Sequence, residues 1–407
     1  MSVSAIDVKG WCPGILRPMP SGDGLIVRVR PRCGAFPLTT ANALADLAER
    51  LGNGHIDLTR RANLQLRGLI EDRVPELQNA LADLGLLDSD AETEAVRNVM
   101  VAPLAGLDPA QAFDVRPIAA SIEQVLVNDA RLHALPAKFG MLVDGGGTVS
   151  IAAERADICL VAVGDAIVFG LDTPEGTRWL GMTAPERAAA LAIVAAHAFL
   201  SVATRGRMRD LSAEAFGSVR AVLMPRLSPI DTAPPSGGRR LGSMQAVIGV
   251  AAPFGRLEAS QLRRLVALAI GAGAAELRLS PWRTLYIGAR NADAARSVLD
   301  GVREVGLIVH DDDPMLRIEA CPGAPDCDSS SVDARGDART LSTIAVARGY
   351  KGSIHVSGCG KGCARSLPSD LVLTGKEGRY QVMRNSTTRG PVERLVVAHE
   401  FATLFHD

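Results

Sequence analysis

The sequence has few aromatic residues, no excess of either charge and no long uninterrupted hydrophobic run. Aromatics make up 4% of the 407 residues, and 44 basic side chains against 45 acidic ones give a formal net charge of −1. Few aromatics argue against a platform for stacked bases. A near-neutral balance argues against a basic surface for nucleic acid or anionic lipid. We therefore predict no nucleic-acid partner and no membrane partner.

A secretory signal and a membrane anchor are also missing from the pattern. Residues 1–13 contain no charged segment followed by an apolar one. The most apolar stretch, residues 188–203, contains a histidine and is shorter than the roughly 20 residues that a spanning helix needs. We predict a buried helix there and a cytoplasmic protein. In a reducing compartment, the seven cysteines are expected to be thiols or metal ligands rather than disulfides.

What the sequence does contain is an internal repeat. Residues 24–69 and 245–289 each give a strand of alternating apolar residues, a Gly/Pro turn, an amphipathic helix that leaves through glycine, and two strands split by a polar turn. A further helical stretch closes each copy. Chance similarity between two αβ units is the alternative, but element order and loop positions agree over the whole segment. The order β-α-β-β-α is ferredoxin-like in outline.

The repeat predicts an α+β or α/β protein of two pseudo-symmetric halves. Each half is expected to be a ferredoxin-like unit plus a larger mixed αβ lobe. The Pro, Gly and Ser content near residue 230 marks a linker between the halves. The predicted units are a first half-repeat at 1–88, a first lobe with the ligand pocket at 89–226, a linker at 227–241, a second half-repeat at 242–310 and a cysteine-bearing second lobe at 311–407.

Four of the seven cysteines form two closely spaced pairs. Cys321 and Cys327 are a C-x5-C, and Cys359 and Cys363 are a C-x3-C. Two pairs of thiolates can ligate one [4Fe-4S] cluster, because soft sulfur suits iron. The glycines around the second pair let backbone N–H groups approach the cluster sulfurs. Structural zinc is the alternative, for which C-x2-C to C-x4-C pairs are the usual spacing.

The paired cysteines are similar to the signature of the sulfite and nitrite reductases, which carry siroheme beside a [4Fe-4S] cluster. Three earlier segments resemble motifs of this family in the same order. Residues 59–65, TRRANLQ, resemble its T-T-R-Q-N-x-Q turn. Residues 97–106 resemble its R-N-V…P-L-A-G segment, and residues 135–139, LPAKF, resemble its L-P-R-K-F. The resemblance implies the two-lobed scaffold of that family.

The same resemblance carries the family's anion-binding basic residues to Arg61, Arg97 and Lys138. The second lysine of the family's K-F-K is missing, because Gly140 stands there. Loss of a cationic proton donor from an anion pocket should weaken both anion binding and proton delivery. A siroheme-dependent sulfite or nitrite reductase is therefore the alternative function, and siroheme is a cofactor only under that alternative.

A second resemblance is to the precorrin-3B synthase family of aerobic cobalamin (vitamin B12) biosynthesis. It rests on residues 11–30, WCPGILRPMPSGDGLIVRVR, on residues 279–286, LSPWRTLY, and on the compact length. In that family the tetrapyrrole is the substrate. The resemblance implies an iron–sulfur monooxygenase that hydroxylates precorrin-3A at C20 and closes a γ-lactone, using O2 and electrons from NADH. No G-x-G-x-x-G follows a strand, so we expect a separate NADH-linked electron donor.

A tetrapyrrole with a carboxylate rim needs cationic clamps, and this predicts which residues bind it. Arg28 and Arg30, two apart on a predicted strand, should point to one face. Solvent-facing charges on an edge strand are the alternative for this pair. The predicted substrate-binding set is Arg28, Arg30, Arg61, Asn63, Gln65, Arg97 and Lys138.

No catalytic residue is assigned from the sequence. Electrons from the cluster or a mononuclear non-haem iron could activate oxygen, and such an iron usually takes two histidines and a carboxylate. No ligands are assigned to that iron. His355 lies four residues before Cys359 and is the histidine of most interest. A satisfied core or surface histidine is the alternative interpretation.

Overall fold

A computed structural model describes residues 11–230 and 232–405. The outer ends of the predicted units 1–88 and 311–407 therefore lie outside the described residues. The described chain forms four five-stranded sheets. Two of them belong to the predicted ferredoxin-like repeats, and one belongs to each lobe. The boundaries between the predicted units stay predictions.

The first half contains, in chain order, β1 (Met19–Ser21), β2 (Gly24–Val29), β3 (Ala35–Pro37), α1 (Leu38–Leu51), β4 (His55–Leu58), β5 (Leu64–Leu69), α2 (Val74–Asp83), α3 (Ala91–Val96), β6 (Val99–Val101), α4 (Arg116–Asn128), β7 (Met141–Asp144), β8 (Ile158–Val163), β9 (Ala166–Thr173), β10 (Gly176–Thr183), α5 (Pro185–Val202) and α6 (Ala213–Leu223).

The second half contains β11 (Gly242–Met244), β12 (Val247–Ala251), β13 (Arg256–Glu258), α7 (Ala259–Gly271), β14 (Glu276–Leu279), β15 (Thr284–Gly288), α8 (Ala292–Ser297), α9 (Leu299–Glu304), β16 (Ile318–Ala320), α10 (Ala334–Ala347), β17 (Ile354–Ser357), β18 (Ser369–Lys376), β19 (Arg379–Ser386) and β20 (Arg394–Val396).

Helices α1 and α7 show why the repeat pattern folds as it does. The leucines at helical spacing in both helices are buried in one shared core, apart from a partly buried Leu268 that packs against it. Helix α1 ends at Leu51 and is capped by Gly52, whose N–H donates to the carbonyl oxygen of Ala48. A Cβ at Gly52 would lie 2.3 Å from the carbonyl oxygen of Arg67, so only glycine fits this stop. Helix α7 ends at Gly271, and the chain then turns at Gly273, whose φ is +78°.

The two ferredoxin-like sheets exchange an edge strand. Their strand orders are β1-β2-β5-β4-β13 and β11-β12-β15-β14-β3. Each sheet thus ends in a three-residue strand from the other half, paired antiparallel. Because α1 and α7 also pack together, one continuous core holds both repeats. The two repeats therefore form a single structural unit, and the two lobes extend from it.

The two lobes share one strand order. The first lobe is β6-β7-β8-β9-β10 and the second is β16-β17-β18-β19-β20, and in each the first three strands are parallel and the last two are antiparallel. The pseudo-symmetry therefore extends to the two lobes, beyond the segments whose sequences align. Loops that follow the first two strands occupy equivalent places in the two lobes, and in the second lobe these loops carry the four cysteines.

Helix α5 is long and apolar enough to cross a membrane by length and composition alone. Its Ala- and Leu-rich face, including Leu191, Ala195 and Phe199, is buried in the core of the first lobe. The ring of Phe199 lies 4.9 Å from that of Phe139, between ring centres. The helix packs as the predicted core helix.

Candidate functional site

The four paired cysteines lie in the loops that follow β16 and β17, at the carboxyl ends of these strands. β16 and β17 are parallel neighbours, so the loops that follow them begin side by side. Cys321 follows β16 directly, and its sulfur accepts the N–H of Gly358 at 3.0 Å. Burial, together with the charges of the other three cysteine sulfurs, raises the pKa of Cys363 to about 11. The structure thus brings all four predicted ligands together.

The loop backbone around these sulfurs has room only for glycine. A Cβ at Gly358 would lie 2.2 Å from the hydroxyl of Ser330, and one at Gly323, whose φ is +76°, would lie 2.3 Å from the N atom of Ala334. Gly362 also has a positive φ, of +63°. Small residues keep the backbone N–H groups close to the sulfurs, where hydrogen bonds stabilise thiolate charge.

The chemistry of the donors indicates which metal group fits them. Within residues 11–230 and 232–405, no three His, Cys, Asp or Glu side chains lie close enough together to hold a single metal ion. Four thiolate donors on two adjacent loops are the ligand type that a [4Fe-4S] cluster takes. The same observation gives a mononuclear iron no ligand set in the described part of the chain.

A buried ion network fastens the C-x5-C loop to the ferredoxin-like unit. Arg256 donates to Asp57 at 2.9 Å and to Asp326, inside the loop, at 2.6 Å. Arg335 of α10 donates to Asp57 at 3.0 Å. Burial opposes the charged form of Asp57, but the charges of Arg335 and Arg256 hold the pKa of this carboxyl well below its usual range. Asp57 therefore links β4, the exchanged strand β13 and the second lobe.

Arg61 and Arg28 form a cationic group near the first lobe. Arg61 lies in the turn between β4 and β5 and donates to the backbone oxygen of Lys138 at 2.7 Å. Arg28 of β2 faces Gln65 of β5 in register, and Cys12 and Arg61 lie beside its guanidinium. Burial lowers the pKa of Arg28 and of Arg61. The structure brings these five residues together.

Arg30 and Arg97, in contrast, are neutralised inside the protein. Arg30 pairs with Glu94 at 2.8 Å, and each side chain is 3% exposed. Arg97 pairs with Asp88 at 2.9 Å and donates to the backbone oxygen of Arg30. Burial alone would lower the pKa of Arg97, but the hydrogen bond and charge of Asp88 raise it. Neither guanidinium is free to act as an anion clamp.

Asn63 and Gly140 are the two remaining positions of the candidate site near the first lobe. Asn63 is buried, and its backbone N–H donates to the hydroxyl of Thr59 at 3.2 Å, which fixes the turn that presents Arg61. At Gly140 a Cβ would lie 3.6 Å from a guanidinium nitrogen of Arg61 and 3.4 Å from the backbone oxygen of Asn98. A side chain would fit there, so glycine leaves space beside Arg61 that a lysine would fill.

Comparisons with known proteins agree with this architecture. The family described as the nitrite/sulfite reductase ferredoxin-like half domain matches residues 17–84. The nitrite and sulphite reductase 4Fe-4S domain matches residues 92–275, a span that ends before the cysteine pairs. The solved structure of the Mycobacterium tuberculosis NirA protein superposes with a TM-score of 0.77 over 93% of this chain and 79% of that one, at 19% identity.

Fold and comparisons together define a protein of the nitrite and sulfite reductase superfamily. A ferredoxin–nitrite reductase of Synechococcus elongatus is 25% identical over 91% of this chain and 79% of its own length. A precorrin-3B synthase of Sinorhizobium is 34% identical over 94% of this chain and 84% of its own length. The chain belongs to the precorrin-3B synthase family of this superfamily.

Proposed function

We propose that this protein is a precorrin-3B synthase, with precorrin-3A as substrate, and that it works in the cytoplasm. One oxygen atom of O2 becomes the C20 hydroxyl group, and the ring-A acetate closes a γ-lactone. The second oxygen atom leaves as water, using two electrons and two protons from outside the tetrapyrrole. A separate NADH-linked protein supplies those electrons. The 34% identical relative bearing this name supports the proposal.

The choice of substrate depends on one observation: the cations expected in an oxyanion pocket are neutralised at Arg97 and missing at Gly140. Of the three positions that resemble the reductases' anion-binding residues, Arg97 is paired with a buried carboxylate, and the position of the additional lysine is Gly140. A small oxyanion needs several free cations converging on it. A large tetrapyrrole instead needs space and clamps at its rim, which Gly140, Arg61 and Lys138 supply. This favours the synthase over a sulfite or nitrite reductase.

Cys321, Cys327, Cys359 and Cys363 are proposed to hold a [4Fe-4S] cluster, which supplies single-electron transfer when bound. The chain's own residues do the rest. Arg28, Arg61 and Lys138 are proposed to hold carboxylates of the substrate.

Replacing the clamps should weaken substrate binding without harming the cluster. Arg61→Ala and Lys138→Ala are each expected to bind precorrin-3A roughly ten- to a hundredfold more weakly, because a hydrogen bond to a charged group contributes about 1.5–3 kcal/mol. Both residues are remote in sequence from the cysteine loops. The measurement is an anaerobic titration of each variant with precorrin-3A, monitored together with the cluster absorbance.

Arg131→Ala is the matched control for the clamps. Arg131 is an exposed arginine of the first lobe that pairs with Asp129, and its loss should leave the affinity unchanged. Wild-type affinity in both clamp variants would contradict the assignment. A bleached cluster in either variant would give that residue a structural role instead.

A further inference from the structure

A cleft of about 720 Å³ opens in the second lobe, at the opposite end of the sheet from the cysteine loops. Tyr350 and Lys351 line it just before β17 begins, whereas Cys359 lies beyond the carboxyl end of that strand. Arg384 of β19 lines the same cleft and is opposite Leu371, near the start of β18. No part of the proposed function uses this cleft.

Three cationic side chains line this cleft, and no acidic side chain of the described residues does so. Arg348 follows α10 directly, and both it and Lys351 are exposed, with no ion-pair partner in the described part of the chain. Arg384 pairs with Glu393 at 3.5 Å and donates to the backbone oxygen of Leu404 at 2.7 Å, so its guanidinium is held in place. Cations at the C-terminal end of a helix also stabilise its dipole, but this does not explain Arg384, which belongs to β19. The surplus of positive charge suits an anion.

An aromatic pair lines the cleft beside these cations. The rings of Tyr350 and Phe405 lie 5.0 Å apart between their centres and are tilted by 57°. Both side chains pack against the core of the second lobe, which fixes their positions. A Cβ at Gly352 would lie 2.4 Å from the hydroxyl oxygen of Tyr350, so glycine leaves the space in which this ring lies. Aromatic faces and edges held in this way can contact a planar ring of a ligand.

We propose that this cleft binds a nucleoside phosphate. Arg348, Lys351 and Arg384 hold the phosphate oxygens, because guanidinium forks and ammonium groups are the side chains that bind phosphate. Tyr350 and Phe405 contact the base. The volume lies within the range of roughly 300–1,000 Å³ that is usual for small-molecule sites.

A single nucleotide fits better than a nucleic-acid strand. A strand requires an extended basic surface with several aromatic side chains for stacked bases. Aromatics make up only 4% of this chain, and its net charge is −1. The three cations and two rings are confined to one cleft, which matches one base and its phosphates.

The test titrates the cluster-loaded protein with ADP, adenosine and inorganic pyrophosphate in a calorimeter. The wild type should bind ADP and pyrophosphate, and adenosine at least tenfold more weakly than ADP. Arg348→Gln and Lys351→Gln are each expected to weaken ADP binding about tenfold, since each removes one charged hydrogen bond. Phe405→Leu should weaken the binding of ADP and leave that of pyrophosphate unchanged, because pyrophosphate has no base. Circular dichroism and the visible absorbance of the cluster check that each variant has folded.

Arg379→Gln is the matched control, because Arg379 is an exposed arginine at the other end of β19, opposite Lys376. It should bind ADP as the wild type does. A wild-type protein that binds neither ADP nor pyrophosphate would overturn the site, as would wild-type affinity for ADP in both the Arg348 and the Lys351 variants. Equal weakening in the Arg379 control would also overturn it, since the binding would then follow the overall charge. Equal loss of ADP and pyrophosphate binding in Phe405→Leu would refute the contact with the base.

Discussion

Replacing Cys321 with alanine is expected to remove most of the protein's iron and acid-labile sulfide. The wild-type protein purified without oxygen should hold about four iron atoms and four sulfides per chain, as one tetranuclear cluster requires. Cys321 is buried, and its sulfur accepts the N–H of Gly358. The substitution therefore deletes a ligand and leaves an unpaired donor in the second lobe. Iron and sulfide assays, with the visible spectrum, measure the loss, and Cys363→Ala should behave in the same way.

Cys159→Ala is the matched control for the ligand variants. Cys159 is also buried, but it lies in the first-lobe sheet, where its sulfur contacts the backbone oxygen of Ala156 at 3.6 Å. This variant should keep its full iron and sulfide. Stoichiometric zinc without sulfide in the wild-type protein would contradict the assignment, as would full iron and sulfide in both ligand variants.

Asp57→Asn is expected to lower the free energy of unfolding by about 3–5 kcal/mol, the usual cost of removing one member of a buried ion pair. Asp57 is 6% exposed and neutralises Arg256 and Arg335, which are themselves largely buried. The asparagine would leave Arg335 without the carboxylate it pairs with, and Arg256 with Asp326 alone, beside the C-x5-C loop. Urea unfolding followed by circular dichroism measures the difference. Asp46→Asn, at an exposed pair with Arg263, should change the stability by less than about 1 kcal/mol.

The stabilisation that Asp57 provides should decrease as the pH is lowered. Burial works against the ionised form, but Arg335 and Arg256 hold the folded pKa of Asp57 below its unfolded value. The stabilisation is therefore fully present above the unfolded value, about 3.9, and is lost as the pH falls towards the folded one. The stability difference between wild type and Asp57→Asn should shrink as the pH is lowered from about 5 to 3. A difference that stays constant over this range would mean that the charge of Asp57 is not what stabilises the fold.

Local sequence pattern was enough to predict the two ferredoxin-like repeats, because each depends on apolar periodicity and on glycine stops. The exchanged strands β3 and β13 could not be predicted in this way. Each is only three residues long and follows a kink at a positive φ, at Cys33 or Phe254. Each pairs with a strand about two hundred or more residues away, as Arg256 does with Asp57. Such pairing is determined by the packing of α1 on α7, which no local pattern contains.

The candidate site, like the fold, could be predicted from the sequence only in part. The spacing within each cysteine pair is visible in the sequence. The strand order of the second-lobe sheet explains why the two pairs come together. The charge state of the arginines does not follow from the sequence, because it depends on which carboxylate folds against them. Arg97 meets Asp88 and Arg30 meets Glu94 only once α3 has packed.

The alternation of residues in this part of the first repeat predicted that Arg28 and Arg30 share a face. Burial and the positive charge of Arg28 both lower the pKa of Arg30. Their surroundings differ, because Arg30 has Glu94 as a partner and Arg28 lies beside Cys12 and Arg61. The assignment of substrate-binding residues therefore stays a prediction, with Arg28, Arg61 and Lys138 as its strongest members. Gln65 shares the register position of Arg28 and belongs with them.

The central claim is that this scaffold oxygenates a tetrapyrrole instead of reducing a small anion. The most direct measurement supplies the cluster-loaded protein with precorrin-3A, a reductant and 18O2, and analyses the product by mass spectrometry. The account predicts a product that gains one oxygen atom, labelled from O2, with two electrons consumed for each. A product without label would contradict the account, especially if the same protein loaded with siroheme reduced nitrite or sulfite with a dye donor.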